Sequence, residues 1–124
     1  MAKVMINDTQ FDMLYSWRAM KEIEKRISKI DELEERLKQD DRLECVEEML
    51  LILINAAYIA DKSEARVERE WLEDNLDPQL FHLYTVAILN TLREGMKLRK
   101  KVQGSNKPRD LILEKIEKKE EAGN

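Results

Sequence analysis

Arg42-Leu43-Glu44-Cys45-Val46-Glu47-Glu48-Met49-Leu50-Leu51-Ile52-Leu53-Ile54-Asn55-Ala56-Ala57-Tyr58-Ile59-Ala60 is the stretch that decides the fold. Leu43, Val46, Met49, Leu50, Leu53, Ile54 and Ala57 fall on one side at 100° per residue, and from Met49 onward the run is apolar almost all round, broken only by Asn55. A helix apolar on every side is one that other elements surround. Its 12 most apolar residues, Met49 to Ala60, fall short of the roughly 20 that span a bilayer, so it reads as a buried core helix. Asp41-Arg42-Leu43-Glu44 has the spacing of a capping box at its start. Burial of each large aliphatic there is worth about 1.5–3 kcal/mol, which makes this helix the centre of the core.

Outward from that centre, the preceding sequence supplies two shorter helical patterns. Trp17, Met20, Ile23, Ile27 and Ile30 recur every three or four residues behind Ser16, a suitable N-cap, and Trp17 is read as core. Ser28 and Asp31 carry a second start signal, so the first helix is expected to break near Lys25 to Ser28. A short helix then buries Ile30, Leu33 and Leu37 and ends at Gln39-Asp40-Asp41. Before Ser16, Lys3 to Ile6 and Thr9 to Leu14 alternate imperfectly around Asn7-Asp8, which predicts a small N-terminal β-hairpin.

Beyond the central helix, Asp61-Lys62-Ser63 closes it, and Ser63 is expected to cap a shorter helix carrying Val67, Trp71 and Leu72, with Leu76 after it. Asp77-Pro78 is a strong start signal, since Pro at the first helical position loses nothing by lacking an N–H. The helix it opens is expected to reach about Leu98. Leu80, Phe81, Leu83, Tyr84, Ala87, Ile88, Leu92 and Met96 then form a wide apolar face against the central helix, and Gly95 loosens the end. Lys100 to Pro108 has the polarity and breakers of a linker. Leu111, Ile112, Leu113 and Ile116 follow as a short apolar stripe, too brief to be a stable helix in water without a surface to pack on.

The fold class is therefore mainly α: a compact domain of four to five helices over residues 1–98 with an N-terminal hairpin, and a basic linker with a short amphipathic, mobile tail over 99–124. A chain of 124 residues with 3 Gly, 2 Pro and 39% charged residues suits one helical domain and disfavours turn-rich β architectures. The net charge of −4 conceals a division. Residues 1–96 carry 13 Lys+Arg against 21 Asp+Glu, and residues 97–124 carry 9 against 5.

Chemistry is sparse. His82 is the only histidine, which excludes multi-histidine metal sites, and Cys45 the only cysteine, which excludes an internal disulfide. Both read as ordinary packed or boundary residues. No catalytic, cofactor or metal residues are assigned. Glu44-x-x-Glu47-Glu48 and Glu70-x-x-Glu73-Asp74 superficially match the paired acidic motifs of all-α nucleotide pyrophosphohydrolases. Yet Glu44 and Glu48 point away from the apolar side and only Glu47 lies near its edge, so they read as a solvated charged face. The cations Lys97, Arg99, Lys100 and Lys101 have no aromatic residues among them to stack on bases, and they suit a helix C-terminus better than nucleic acid. No stretch reads as a signal sequence, so neither a membrane nor an oxidising compartment is expected.

Taken in order, these features resemble the tail assembly chaperones of long-tailed bacteriophages and prophages. The resemblance spans residues 2–98. It runs from the hairpin Lys3-Val4-Met5-Ile6-Asn7-Asp8 through Phe11 into Trp17-Arg18-Ala19-Met20-Lys21-Glu22-Ile23-Glu24-Lys25, then an acidic short helix and the apolar helix. It closes with an acidic helix and an Asp77-Pro78-started helix ending near Arg93-Glu94-Gly95-Met96. It implies a non-enzymatic protein of the host bacterial cytoplasm, absent from the finished virion. Such a protein binds the tape measure protein, keeps it soluble and helps recruit tail tube protein subunits. It also implies a longer, frameshifted form of the chain, with Lys118-Lys119 over the slippery codons. Self-association is compatible with the apolar area of the last two body helices. Trp71, Leu76, Leu111, Ile112, Leu113 and Ile116 are the candidate partner-binding residues. A small helical adaptor in phage morphogenesis or in a bacterial complex, without chaperone activity, is the alternative, and a Mg²⁺-dependent helical hydrolase is a third class.

Overall fold

In a computed structural model the described residues are 1–105, with side chains through Met96. The fold is mainly helical. Strands β1 (Ala2–Ile6) and β2 (Thr9–Met13) pair antiparallel, Val4 opposite Phe11 and Ile6 opposite Thr9. Asn7 and Asp8 both take positive φ, 48° and 66°, the two-residue turn whose twist suits a hairpin and that Asn and Asp tolerate best. Alternation puts Val4, Ile6, Phe11 and Met13 inward and Lys3 and Met5 outward.

Helices α1 (Trp17–Arg26), α2 (Leu33–Arg36, entered by a 3-10 turn at Ile30–Glu32), α3 (Arg42–Ala60), α4 (Arg69–Asn75) and α5 (Phe81–Ser105, entered by a 3-10 turn at Pro78–Leu80) complete the order. The central helix has the expected bounds. Its buried residues, from Cys45 and Val46 through Ala57, lie on nearly every side because β2, α1, α4 and α5 all pack on it. The end of the hairpin is fastened directly to it, Leu14 N–H donating to Leu53 O at 3.1 Å.

Several local expectations hold. Ser16 caps α1, its Oγ accepting from Ala19 N–H at 3.1 Å, and α1 stops at Arg26. Leu33 and Leu37 are buried under the short helix. Asp77 Oδ1 accepts from Gln79 N–H at 2.9 Å ahead of Pro78.

Others fail for identifiable reasons. Trp17 is 66% exposed rather than core. The inward direction of α1 is set by Ala19 and Ile23, and Trp17 stands about 120° away from Ile23 around the helix. Ala19 carries little hydrophobic signal because it is small, and its smallness suits it to the α1–α3 contact. Leu43 keeps register with Val46 but lies ahead of the first buried residues and is 63% exposed. Neither the capping box at Asp41 nor the Ser28 start signal forms a cap: Asp41 gives its carboxylate to Arg36, and the Ser28 hydroxyl donates to Lys29 O.

Ser63 does not start a helix. Its Oγ closes a local turn to Ala65 N–H, and α4 begins six residues later at Arg69. Lys62, at φ 59°, provides the left-handed step that ends α3, with Ser63 N–H bonded to Tyr58 O and Lys62 N–H to Ile59 O. The irregular 61–68 connection is pinned by Asn55, the one polar interruption of the apolar run. Its amide donates to Val67 O at 3.0 Å and accepts from Val67 N–H at 2.8 Å.

The last helix also departs from expectation. It continues to Ser105, past Leu98 and through Lys100–Ser105 of the expected linker, and Gly95 does not loosen it. A Cβ at Gly95 would lie 2.6 Å from Tyr15 Cδ2 and 3.1 Å from Tyr15 O, so glycine is there to let α5 approach the chain between hairpin and α1. The stripe Leu111 to Ile116 lies outside the described residues.

Candidate partner-binding surface

Only part of the apolar face of α5 is covered. Tyr84, Ile88 and Leu92 are buried, whereas Leu80, Leu83, Val86 and Met96 are exposed. Leu83 lies about 100° around the helix from Tyr84, and Val86 about 160° from Ile88, too far for one neighbouring layer to reach both sides. The wide arc read from the sequence is therefore split between core and surface.

Of these exposed residues, Leu80 and Leu83 adjoin the hairpin. Between the outer side of β1, the Asn7-Asp8 turn, the end of α4 and the start of α5 lies an open groove of about 540 Å³. Met5, Leu80, Leu83 and Ala87 form its apolar walls, with buried Tyr84 beneath. Tyr84 Oη accepts from Asp77 N–H at 2.9 Å, which fixes the start of α5 against the groove. Asn7 is tied to Asn75, and Asn75 Nδ2 donates to Trp71 O at 2.9 Å, so turn and α4 hold each other in place. Lys3 is engaged by Asp12 across the strands at 2.5 Å. Asp8 and Asp77 have no side-chain cation among the described residues. The rim is therefore acidic.

Scans against family models, curated proteins and solved structures return no match.

Of the sequence-derived candidates, Trp71 and Leu76 are half-buried and pack on the core. Trp71 meets Phe11 edge-on, ring centroids 5.5 Å apart, and with Tyr58 and Val67 borders a separate opening of about 400 Å³. Leu76 sits between Asn75 and Asp77, which line the groove, but does not line it itself. Leu111, Ile112, Leu113 and Ile116 fall outside the described residues. Met5, Leu83 and Val86 were missed as surface residues. The available signal was the outward phase of Met5 in the hairpin and the excessive width of the α5 arc.

The acidic motifs of α3 and α4 meet, but with arginines among them. Arg69 pairs with Glu47 at 3.2 Å and with Glu48, while Arg26 Nη1 reaches Glu48 Oε2 at 2.7 Å. Neither carboxylate is on a solvated face: the side chains are 16% and 12% exposed. Burial pushes Glu48 up, yet hydrogen bonds from Arg69 and Arg26 outweigh it and hold its carboxyl below the usual value. Glu47 has only Arg69 to offset burial and feels the charge of Glu73, so it is raised. Beside them, Arg36 holds Asp41 low, and burial pushes the Cys45 thiol up. Among the described residues no group of three or more His, Cys, Asp or Glu is arranged to hold a metal, and no helix is long and apolar enough to cross a membrane. Chemically, this cluster is a charged joint between α1, α3 and α4.

Proposed function

We propose that the chain is a tail assembly chaperone of a long-tailed bacteriophage or prophage, acting without catalysis in the host bacterial cytoplasm. It binds the tape measure protein, keeps it soluble, helps recruit tail tube subunits and leaves before the virion is complete. The observation that carries the reading is the apolar face formed by Met5, Leu80 and Leu83 along one groove of an otherwise acidic body. Exposed apolar side chains grouped on one side and rimmed by polar residues are the usual mark of a surface that a partner covers. A tape measure protein, long, helical and apolar-striped before the tube encloses it, needs such a cover. Further support comes from the order of elements: hairpin, helix, short acidic helix, apolar helix, acidic helix and Asp-Pro-started helix follow one another as the resemblance implies.

The test is co-expression with the long helical protein encoded nearby. Co-purification is the expected result, with a tail tube gene just upstream. Failure to co-purify, or a gene neighbourhood without a very long helical product, refutes the reading.

A further inference from the structure

We infer that the groove between β1 and α5 takes an amphipathic helix whose apolar stripe is flanked by Lys or Arg. The inference rests on the proposed function only in taking the groove's occupant to be another protein.

Shape argues for a helix. Leu80 at the end of the 3-10 turn and Leu83 and Ala87 of α5 follow one another at intervals of three and four, a ridge about 10 Å long, and a second helix packs its own ridges beside such a row. Met5 closes the other wall with an unbranched side chain, 53% exposed, that adapts to differing contacts. Charge selects the flanks. The body carries 21 acidic against 13 basic residues over positions 1–96, Asp8 and Asp77 stand on the rim without a side-chain cation among the described residues, and Lys3 is spent on Asp12. A helix with acidic flanks would meet repulsion from both rim carboxylates, and one with basic flanks would be attracted to them.

The experiment titrates the full chain with three labelled peptides of about 18 residues, followed by fluorescence anisotropy. One places Leu at i, i+3, i+4 and i+7 with Lys elsewhere. A second has the same composition scrambled, and a third has Glu in place of Lys. The striped Lys peptide is expected to bind at least about tenfold more tightly than either control, a ratio that Leu83→Asp abolishes and Asp8→Asn reduces a few-fold. Leu83 is 59% exposed, so the fold should tolerate the change; if it does not, Met5→Gln reads the same wall. Equal binding of the scrambled peptide reduces the effect to bulk charge and overturns the proposal. Equal binding of the Glu peptide overturns the choice of flanks. A wild-type dimer that Leu83→Asp dissociates, and that the striped peptide does not compete, assigns the groove to a second copy and also overturns it. Peptide binding at Leu83 without capture of the neighbouring long protein would sink the proposed function and leave the groove's helix specificity standing.

Discussion

Removing the Asn55 amide should uncouple the 61–68 connection from the central helix. Asn55 makes two hydrogen bonds to one residue, 3.0 Å to Val67 O and 2.8 Å from Val67 N–H, and Val67 is itself buried. Each bond is worth about 0.5–1.5 kcal/mol net, and a backbone group orphaned away from water costs about 1–3 kcal/mol. Asn55→Ala should therefore lower stability by about 2–4 kcal/mol, the discount from the full sum reflecting water that reaches a half-buried site. Asn55→Asp separates the two bonds. An ionised carboxylate still accepts from Val67 N–H but repels Val67 O, whereas the protonated acid can donate to that carbonyl. The introduced acid is thus favoured neutral in the folded chain and its folded pKa is raised, so its deficit is largest at neutral pH, shrinks as pH falls toward about 4, the value in the unfolded chain, and changes no further below it. Urea unfolding followed by far-UV circular dichroism at pH 7 and pH 4 measures both, with wild type at each pH as reference. A change below about 0.5 kcal/mol for Asn55→Ala, or a pH-independent deficit for Asn55→Asp, would show that the connection is held by something other than this amide.

Further outcomes follow from the same packing. Gly95→Ala should destabilise the chain by about 0.5–2 kcal/mol in thermal unfolding, because overpacking against Tyr15 at 2.6 Å exceeds the roughly 1 kcal/mol that Ala gains in a helix; a rise in melting temperature would contradict it. Glu48→Gln should cost about 1–3 kcal/mol at pH 7, and Glu47→Gln less than about 1 kcal/mol or nothing. Glu48 is depressed, so its contribution is present above the ordinary value of 4.5 and lost as pH falls; Glu47 is raised, so what it contributes is present at low pH and lost as pH rises. Chemical denaturation between pH 3 and 8 should show the two variants diverging toward neutrality, and parallel curves would refute the assignment. Trp17→Ala should change stability by less than about 0.5 kcal/mol and Trp71→Ala by about 2–4 kcal/mol, since only Trp71 packs on Phe11.

What was legible in the sequence is what depends on local order. The hairpin turn at Asn7-Asp8, the Ser16 cap, the bounds of α3 and the Asp77-Pro78 start each rest on a backbone need that one or two residue types meet. What was not legible depends on the phase and company of helices. Trp17 and Leu43 have the spacing of core residues, but spacing does not say which direction a neighbour comes from, and neither is covered. Glu47 and Glu48 read as a solvated face because Arg69, 21 and 22 residues away, meets them only once α4 folds back. Gly95 read as a breaker for the same reason: its partner, Tyr15, lies 80 positions earlier. The groove was hidden in an α5 face that looked uniformly core-forming, although Met5 carries the outward phase of its strand and the α5 arc is wider than one neighbouring layer can cover.

We propose that the exposed face around Leu83 covers the apolar stripe of a long helical partner. The most direct measurement is the soluble fraction of the neighbouring long helical protein when expressed alone, with this chain, and with the Leu83→Asp variant. An insoluble product alone, a soluble complex with the wild-type chain, and a return toward insolubility with a folded Leu83→Asp chain are the expected results. Equal solubility with and without the chain, or full rescue by the variant, would contradict the proposal.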